Sequence, residues 1–324
     1  MSKMREFGNQ LYSGERSINF VGRRKLWYAV AAVVVILSIA LPVLRGGFNF
    51  GIEFRGGSEF RLTNSQSLQQ SVAVDAVQSI VPGAQVTVTT VGAQDLRIQT
   101  QQLEDVQSEE VRLALAEAFG LDSSLVASSF IGPNWGAEIT RQALIGLLAF
   151  IAIVSLLMAF YFRSWKMSLA ALIALAHDLI FTLGVYAGVG FEVTPAAVIG
   201  FLTILAYSLY DTVVVFDKVR ENTADIELSE TRTFGEAVNL AVNQTLVRSI
   251  NTSVVSVLPV AAILFIGSVL LGAGTLRDIS LALFVGTIVG TYSSIFLAAP
   301  VYVHLREREP ALKAAADKVL ASRQ

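Results

Sequence analysis

RQALIGLLAFIAIVSLLMAFYF, Arg141 to Phe162, runs for 22 residues and carries its only charge on the first of them. About 20 apolar residues in a helix cross a bilayer core of about 30 Å, so this stretch predicts a membrane span. Working outward, similar stretches run from Leu26 to Leu44, Ser168 to Val189, Val193 to Phe216, Ile250 to Leu271 and Ile279 to Val303. Six spans is the most economical reading. The first follows basic residues as a signal peptide would. It is too long for a signal h-region, and no A-x-A-like cleavage site follows closely, so it reads as a permanent anchor.

Composition agrees. Of 324 residues, 53% are hydrophobic and only 15% charged, against about a quarter charged in soluble domains. Mean hydropathy is +0.59 and the pI about 5.8. A net charge of −2 gives no support to a nucleic-acid partner. The absence of cysteine removes thiol catalysis, disulfides and cysteine-ligated metals. With only two histidines, His177 and His304, a multi-histidine metal centre is not expected.

Lys and Arg set the orientation. Basic residues gather in the first 25 positions, at Arg163 and Lys166, at Lys218, Arg220 and Arg232, and in the tail. Six spans place all these on one side, so both termini are expected in the cytoplasm. The opposite side holds residues 46–138, which have no lysine and four arginines against eleven acids. The expected organisation is therefore a cytoplasmic segment 1–25, a first span 26–45, an external domain 46–138, a five-helix membrane bundle 139–304 with a cytoplasmic loop 218–247, and a cytoplasmic tail 305–324.

Within 46–138 the pattern predicts a strand over 50–62, a helix over 68–80, a hairpin of strands 85–91 and 95–100 turning at Gly92, a helix over 106–119 and a strand over 125–131. The order β-α-β-β-α-β is that of a ferredoxin-like α+β domain. No nucleophile–base pair or phosphate loop falls in it, which leaves a binding or mechanical module, or a structural cap.

Ionisable residues inside spans are costly and point to function. Span 3 contains His177-Asp178, and span 4 contains Asp211 with Tyr207 and Ser208 one turn before it on the same face. Arg248 opens span 5. Opposite charges in a low dielectric are expected to pair, so Asp211 is matched with Arg248; a carboxylate that alternates between arginine and a proton has the two states that proton coupling needs. A static ion pair that fixes helix register is the structural alternative. For His177-Asp178 a packing pair or cap stands beside a relay role. Gly184/Gly188 and Gly286/Gly290 form small-xxx-small pairs for close helix contact. Pro259 predicts a kink in span 5, and Phe234, Ala237, Val238 and Ala241 suggest a surface amphipathic helix in the cytoplasmic loop.

NFGIEFRGG (Asn49–Gly57) resembles the G-x-D-F-x-G-G element of the bacterial SecD/SecF export family, a branch of the resistance–nodulation–division superfamily. GPNWGAEI (Gly132–Ile139), FRSW (Phe162–Trp165), ALAHD (Ala174–Asp178), YSLYDTVVVFDKVREN (Tyr207–Asn222) and NQTLVRSINTS (Asn243–Ser253) follow in the family's order and favour its SecF branch. The resemblance assigns family-motif roles to Glu53, Phe54, Gly56, Gly57, Gly132, Pro133, Glu138, Asp217, Arg220 and Asn222, and the intramembrane carboxylate and its arginine to Asp211 and Arg248. By residue pattern alone, Asp217 and Arg220 read as a solvated helix end. Glu53 and Tyr210 depart from the family's usual Asp and Asn.

The resemblance implies a non-enzymatic six-span half that pairs with SecD, associates with the SecYEG channel and YajC in the bacterial inner membrane, and uses the proton motive force to help an unfolded preprotein complete export. No cofactor is implied beyond the proton as coupling ion, and no G-x4-G-K-[ST] loop for ATP occurs. The rival readings are a proton-driven exporter of lipids or small molecules on the same scaffold, a structural assembly factor and, remotely, an intramembrane hydrolase.

Overall fold

A computed structural model of the chain describes residues 3–63, 65, 67–91, 94–267 and 274–323. The turn expected at Gly92 and the end of span 5 expected at Leu271 lie outside the described residues. Among the described residues, six helices are long and apolar enough to cross a bilayer. Span 1 is Arg24–Leu44, span 2 Pro133–Phe162, span 3 Trp165–Val189 and span 4 Pro195–Asn222. Span 5 is Phe234–Ala262 with a π-helical continuation Ile263–Gly267. Span 6 is built of Gly274–Ser293, a π segment Ser294–Ala298 and Ala299–Arg306.

Their ends follow from capping chemistry. Ser164 Oγ accepts from Met167 N at 3.5 Å at the start of span 3, and Gly190, with φ +82°, stops it in the left-handed region that glycine tolerates. Thr194 caps span 4 ahead of Pro195. At span 5, Thr233 Oγ1 accepts from Glu236 N while Glu236 Oε2 accepts from Thr233 N at 2.9 Å, a reciprocal capping box. The helices of spans 4 and 5 are therefore joined by only 223–233, so the segment expected as a loop over 218–247 is not loop throughout. Phe234, Ala237, Val238 and Ala241 do not lie on a surface helix either. They are buried in the first turns of span 5, because that helix continues past the bilayer onto the bundle's own core.

Spans 3, 4 and 6 form the centre of the bundle: 50%, 44% and 61% of their most apolar windows are buried, against 17%, 11% and 17% for spans 1, 2 and 5. The small-xxx-small pairs explain the close approach. A Cβ on Gly184 would meet Ser38 of span 1, one on Gly286 would meet Ile204 of span 4, and one on Gly290 would sit 2.8 Å from Ser208 Cβ.

The external domain has β1 Gly57–Leu62, β2 Thr87–Val91, β3 Asp95–Thr100 and β4 Val126–Ile131, in the sheet order β2-β3-β1-β4 with every pair antiparallel. Helices Gln70–Ile80 and Asp105–Phe119 pack on one face. Phe60, Leu62, Leu96 and Ile98 from the sheet meet Val77, Val111 and Leu115 from the helices, all of them fully buried. This is the ferredoxin-like arrangement read from the sequence. The first strand is shorter than expected. Ile52–Arg55 is one helical turn, and Gly56 (φ +75°) and Gly57 (φ +144°) turn the chain into β1, where a Cβ on Gly57 would collide with Thr100 O at 2.5 Å.

The domain is seated on the bundle. Val193 N donates to Asn49 O at 2.7 Å and Gly51 N to Val193 O at 3.0 Å, joining the segment after span 1 to the span 3–4 loop. Gly136 in span 2 lets the helix run against the Phe54 carbonyl, where any Cβ would clash.

Candidate functional site: two carboxylates among hydroxyls

Asp178 in span 3 is 1% exposed and Asp211 in span 4 is 5% exposed. Asp178 Oδ2 accepts from Ser208 Oγ of span 4 at 2.5 Å and from Ser293 Oγ of span 6 at 2.7 Å, while Oδ1 lies 3.2 Å from His177 Nδ1. One carboxylate thus joins all three central spans. Asp211 Oδ1 accepts from Ser249 Oγ of span 5 at 2.7 Å, and its Oδ2 has no partner among the described residues. Between them, Thr212 Oγ1 and Ser294 Oγ are 2.8 Å apart, and Ser253 bonds Thr291. The π segment of span 6 begins at Ser294, next to the serine that holds Asp178. Such bulges recur at functional sites.

The sequence-predicted residues divide. Ser208 turns to Asp178 rather than to Asp211. The hydroxyl of Tyr207 is buried without a partner among the described residues. The expected ion pair between Asp211 and Arg248 is not formed: the Arg248 side chain is exposed, and Ser249 takes its place. Successive helical residues are about 100° apart, so the turn that brings Ser249 onto span 4 points Arg248 outward. His177 joins Asp178 as expected, and its Nε2 is buried without a partner among the described residues.

The motif residues brace the edges. Tyr161 OH donates to Asp217 at 3.1 Å, Arg220 Nη1 reaches Tyr161 O at 3.4 Å and Asn222 Nδ2 donates to Gln244 Oε1 at 2.9 Å, tying the end of span 4 to spans 2 and 5. Gly132 and Pro133 start span 2, and Glu138 accepts from Gln142 on its exposed face. Phe54 packs edge-on against Phe50, and Glu53 lies 3.6 Å from Arg97.

Sequence reading missed Ser249, Thr212, Ser293 and Ser294. A signal existed: SINTS and TYSS put paired hydroxyls inside apolar spans. Periodicity alone does not say which hydroxyl turns inward. Among the described residues no group of three or more His, Asp or Glu could hold a metal. The site offers two buried carboxylates, a histidine and a line of hydroxyls, and no lysine or arginine pairs with either acid among the described residues. Burying an unpaired carboxylate costs several kcal/mol unless it takes a proton or a donor set, so this chemistry suits a proton that comes and goes.

The family profile described as protein export membrane protein SecD/SecF, C-terminal, matches residues 111–308, and the SecD/SecF GG motif matches residues 46–64. A Streptomyces coelicolor protein named protein translocase subunit SecF is 45% identical over 324 residues, covering 100% of this chain and 86% of the relative. A Rhodothermus marinus protein of the same name is 35% identical, with 95% and 97% covered. The crystal structure of SecDF, described as a translocon-associated membrane protein, from Thermus thermophilus superposes with a TM-score of 0.80 at 31% identity. It covers 90% of this chain and 39% of the SecDF chain, so this chain spans about two-fifths of that larger protein.

Proposed function

This chain belongs to the SecD/SecF family of protein export membrane proteins, and from that premise we propose that it is an accessory, non-enzymatic subunit of the Sec translocase. With SecD supplying the complementary six spans, it uses the proton motive force to promote late steps of export beside the SecYEG channel, with YajC as a further associate. The distribution of basic residues supports an orientation with both termini in the cytoplasm of the bacterial plasma membrane and the ferredoxin-like domain outside, where it would meet an emerging unfolded chain.

The observation that carries this reading is Asp211, buried in a central span with its Oδ1 held by the Ser249 hydroxyl at 2.7 Å and no salt bridge among the described residues. In the proposed cycle Asp211 exchanges a proton while Arg248, next to Ser249 on the same helix, reaches it when span 5 turns. Asp178, bonded to Ser208 of span 4, Ser293 of span 6 and its neighbour His177, passes that change through the three helices beneath the external domain. The exporter reading has one observation on its side, an apolar cavity of about 470 Å³ lined by Phe54, Leu144, Leu183 and Phe201 between the turn before β1 and spans 2–4; the cavity of about 280 Å³ beside the sheet is lined largely by Gln85, Gln99, Gln101 and Gln102.

The test is export of a secreted reporter in cells depleted of this protein and complemented with wild type or Asp211→Asn, with membrane levels of the chain and of SecD measured in the same samples. The expected result is an Asn variant that inserts, assembles and fails to restore export. Rescue equal to wild type would make Asp211 a packing residue and end the proton-coupled reading.

A further inference from the structure

A second cluster of charged side chains lies where the external domain meets the outer ends of spans 3, 4 and 6. Arg97 on β3 stands at its centre. Its Nε is 2.7 Å from Glu59 of β1, its Nη1 3.0 Å from Glu192 of the span 3–4 loop and its Nη2 3.6 Å from Glu53 of the turn before β1. Gln99 Nε2 donates to Glu59 at 3.0 Å and reaches Glu192 at 3.5 Å. A cavity of about 310 Å³ opens beside Glu53, Glu59, Arg97 and Asp278, whose carboxylate is held by Thr194 Oγ1 at 2.9 Å.

One guanidinium here serves three carboxylates, and Asp278 across the cavity adds a fourth acid, so negative charge is in surplus. The other arginines do not cancel it: Arg61 pairs with Asp95, and Arg277 lies over the Phe191 ring. Nor are the acids fully satisfied. The Glu192 side chain is only 10% exposed, and its Oε1, like Glu53 Oε2, is buried without a donor among the described residues. An acceptor left bare beside like charges is where a proton settles, because the O–H then donates and the repulsion falls.

We propose that Glu53, Glu59 and Glu192 around Arg97 form a proton-binding site at the joint between external domain and bundle, with Glu192 carrying the proton, and that filling it favours the docked domain. Burial pushes the Glu192 carboxyl up; Arg97 opposes this, while Glu53 and Glu59 reinforce it. A carboxyl raised in the docked state and ordinary in the undocked one makes docking take up a proton, so acid tightens the joint and alkali loosens it. The inference rests on the proton-driven reading for its place in a cycle, but the site itself stands apart from Asp211.

The amides of Gly51 and Val193, bonded across the joint, report docking. Hydrogen exchange is measured on the full chain with SecD in lipid nanodiscs, and rates are corrected for their intrinsic pH dependence. Wild-type exchange at both amides is expected to slow severalfold from about pH 8 to about pH 5.5, up to about tenfold for each pKa unit by which docking raises Glu192. Glu192→Gln is expected to be slow at both pH values. Asp211→Asn is expected to keep the wild-type dependence, which separates this site from the intramembrane one. Wild-type exchange indifferent to pH, or Glu192→Gln with the dependence intact, overturns the proposal. Should Glu192→Gln lose its thermal transition, Glu59→Gln decides: removing one surplus charge moves the midpoint to lower pH, and an unmoved midpoint overturns it equally.

Discussion

Removing both serines from Asp178 tests whether that carboxylate is ionised in the resting bundle. Ser208→Ala with Ser293→Ala deletes donors at 2.5 and 2.7 Å from Oδ2 and, among the described residues, leaves His177 Nδ1 at 3.2 Å from Oδ1. Hydrogen bonds to a charged group contribute about 1.5–3 kcal/mol each, so an ionised Asp178 loses about 3–6 kcal/mol. Neutral interhelical hydrogen bonds in bilayers average about 0.6 kcal/mol, so a protonated Asp178 loses only about 1.2 kcal/mol. With His177 Nδ1–H donating to Oδ1 and both serines donating to Oδ2, Asp178 is an ionised acceptor, and on that reading the larger loss is expected. Reversible unfolding of the full chain in mixed micelles measures it. Ser155→Ala serves as control, because its hydroxyl bonds only to Ile151 O within its own helix. The same two substitutions in an Asp178→Asn background are expected to cost far less. A loss of about 1 kcal/mol or less in the wild-type background, or an equal loss in both backgrounds, refutes the charged-site reasoning.

Two other outcomes follow. Arg248→Met is expected to leave the unfolding free energy of the isolated chain within about 0.5 kcal/mol, since the side chain is exposed and forms no salt bridge among the described residues, yet to lower reporter export once SecD is present. Glu309 caps the helix Pro310–Ala321 and accepts from Lys166 Nζ at 2.7 Å and Arg306 Nη2 at 3.1 Å. Burial raises its carboxyl, but Arg306 and Lys166 outweigh burial and hold it below the usual range. A depressed carboxyl stabilises docking above about pH 4.5, and that contribution is lost as pH falls through its lower folded value. Hydrogen exchange in the tail helix should therefore quicken in acid for wild type, while Glu309→Gln is already fast at neutral pH and changes little.

Much of the architecture was legible because it depends on properties that add up along the chain. Apolar runs of bilayer length mark spans wherever their neighbours lie, and alternation between turn residues marks strands. The external domain's order of elements and the six spans therefore emerged from sequence, although the helix of span 2 begins eight residues and that of span 5 sixteen residues earlier than expected. The larger errors fell where local pattern and tertiary packing compete. Phe234, Ala237, Val238 and Ala241 carry an amphipathic signal that suits a membrane surface, but in the structure the same apolar face is spent on the bundle's core. Ile52–Arg55 lies in a stretch that is extended in character, yet forms a helical turn between a backbone pinned to Val193 at Gly51 and an end at Gly56.

The sequence by itself determined that this chain crosses a membrane six times, carries one small α+β domain between its first two spans, and buries Asp178 and Asp211 inside apolar helices. Only the tertiary structure decided what those acids meet. A helix fixes a residue's angle about its own axis but not which neighbour lies along that angle. Whether Ser249 or Arg248 faces Asp211 turns on a rotation of about 100° that the packing of spans 4, 5 and 6 sets. The Arg97 joint was hidden for the same reason. Glu53, Glu59, Arg97 and Glu192 are spread over 140 positions of the chain, and only the seating of sheet on bundle gathers them around one guanidinium.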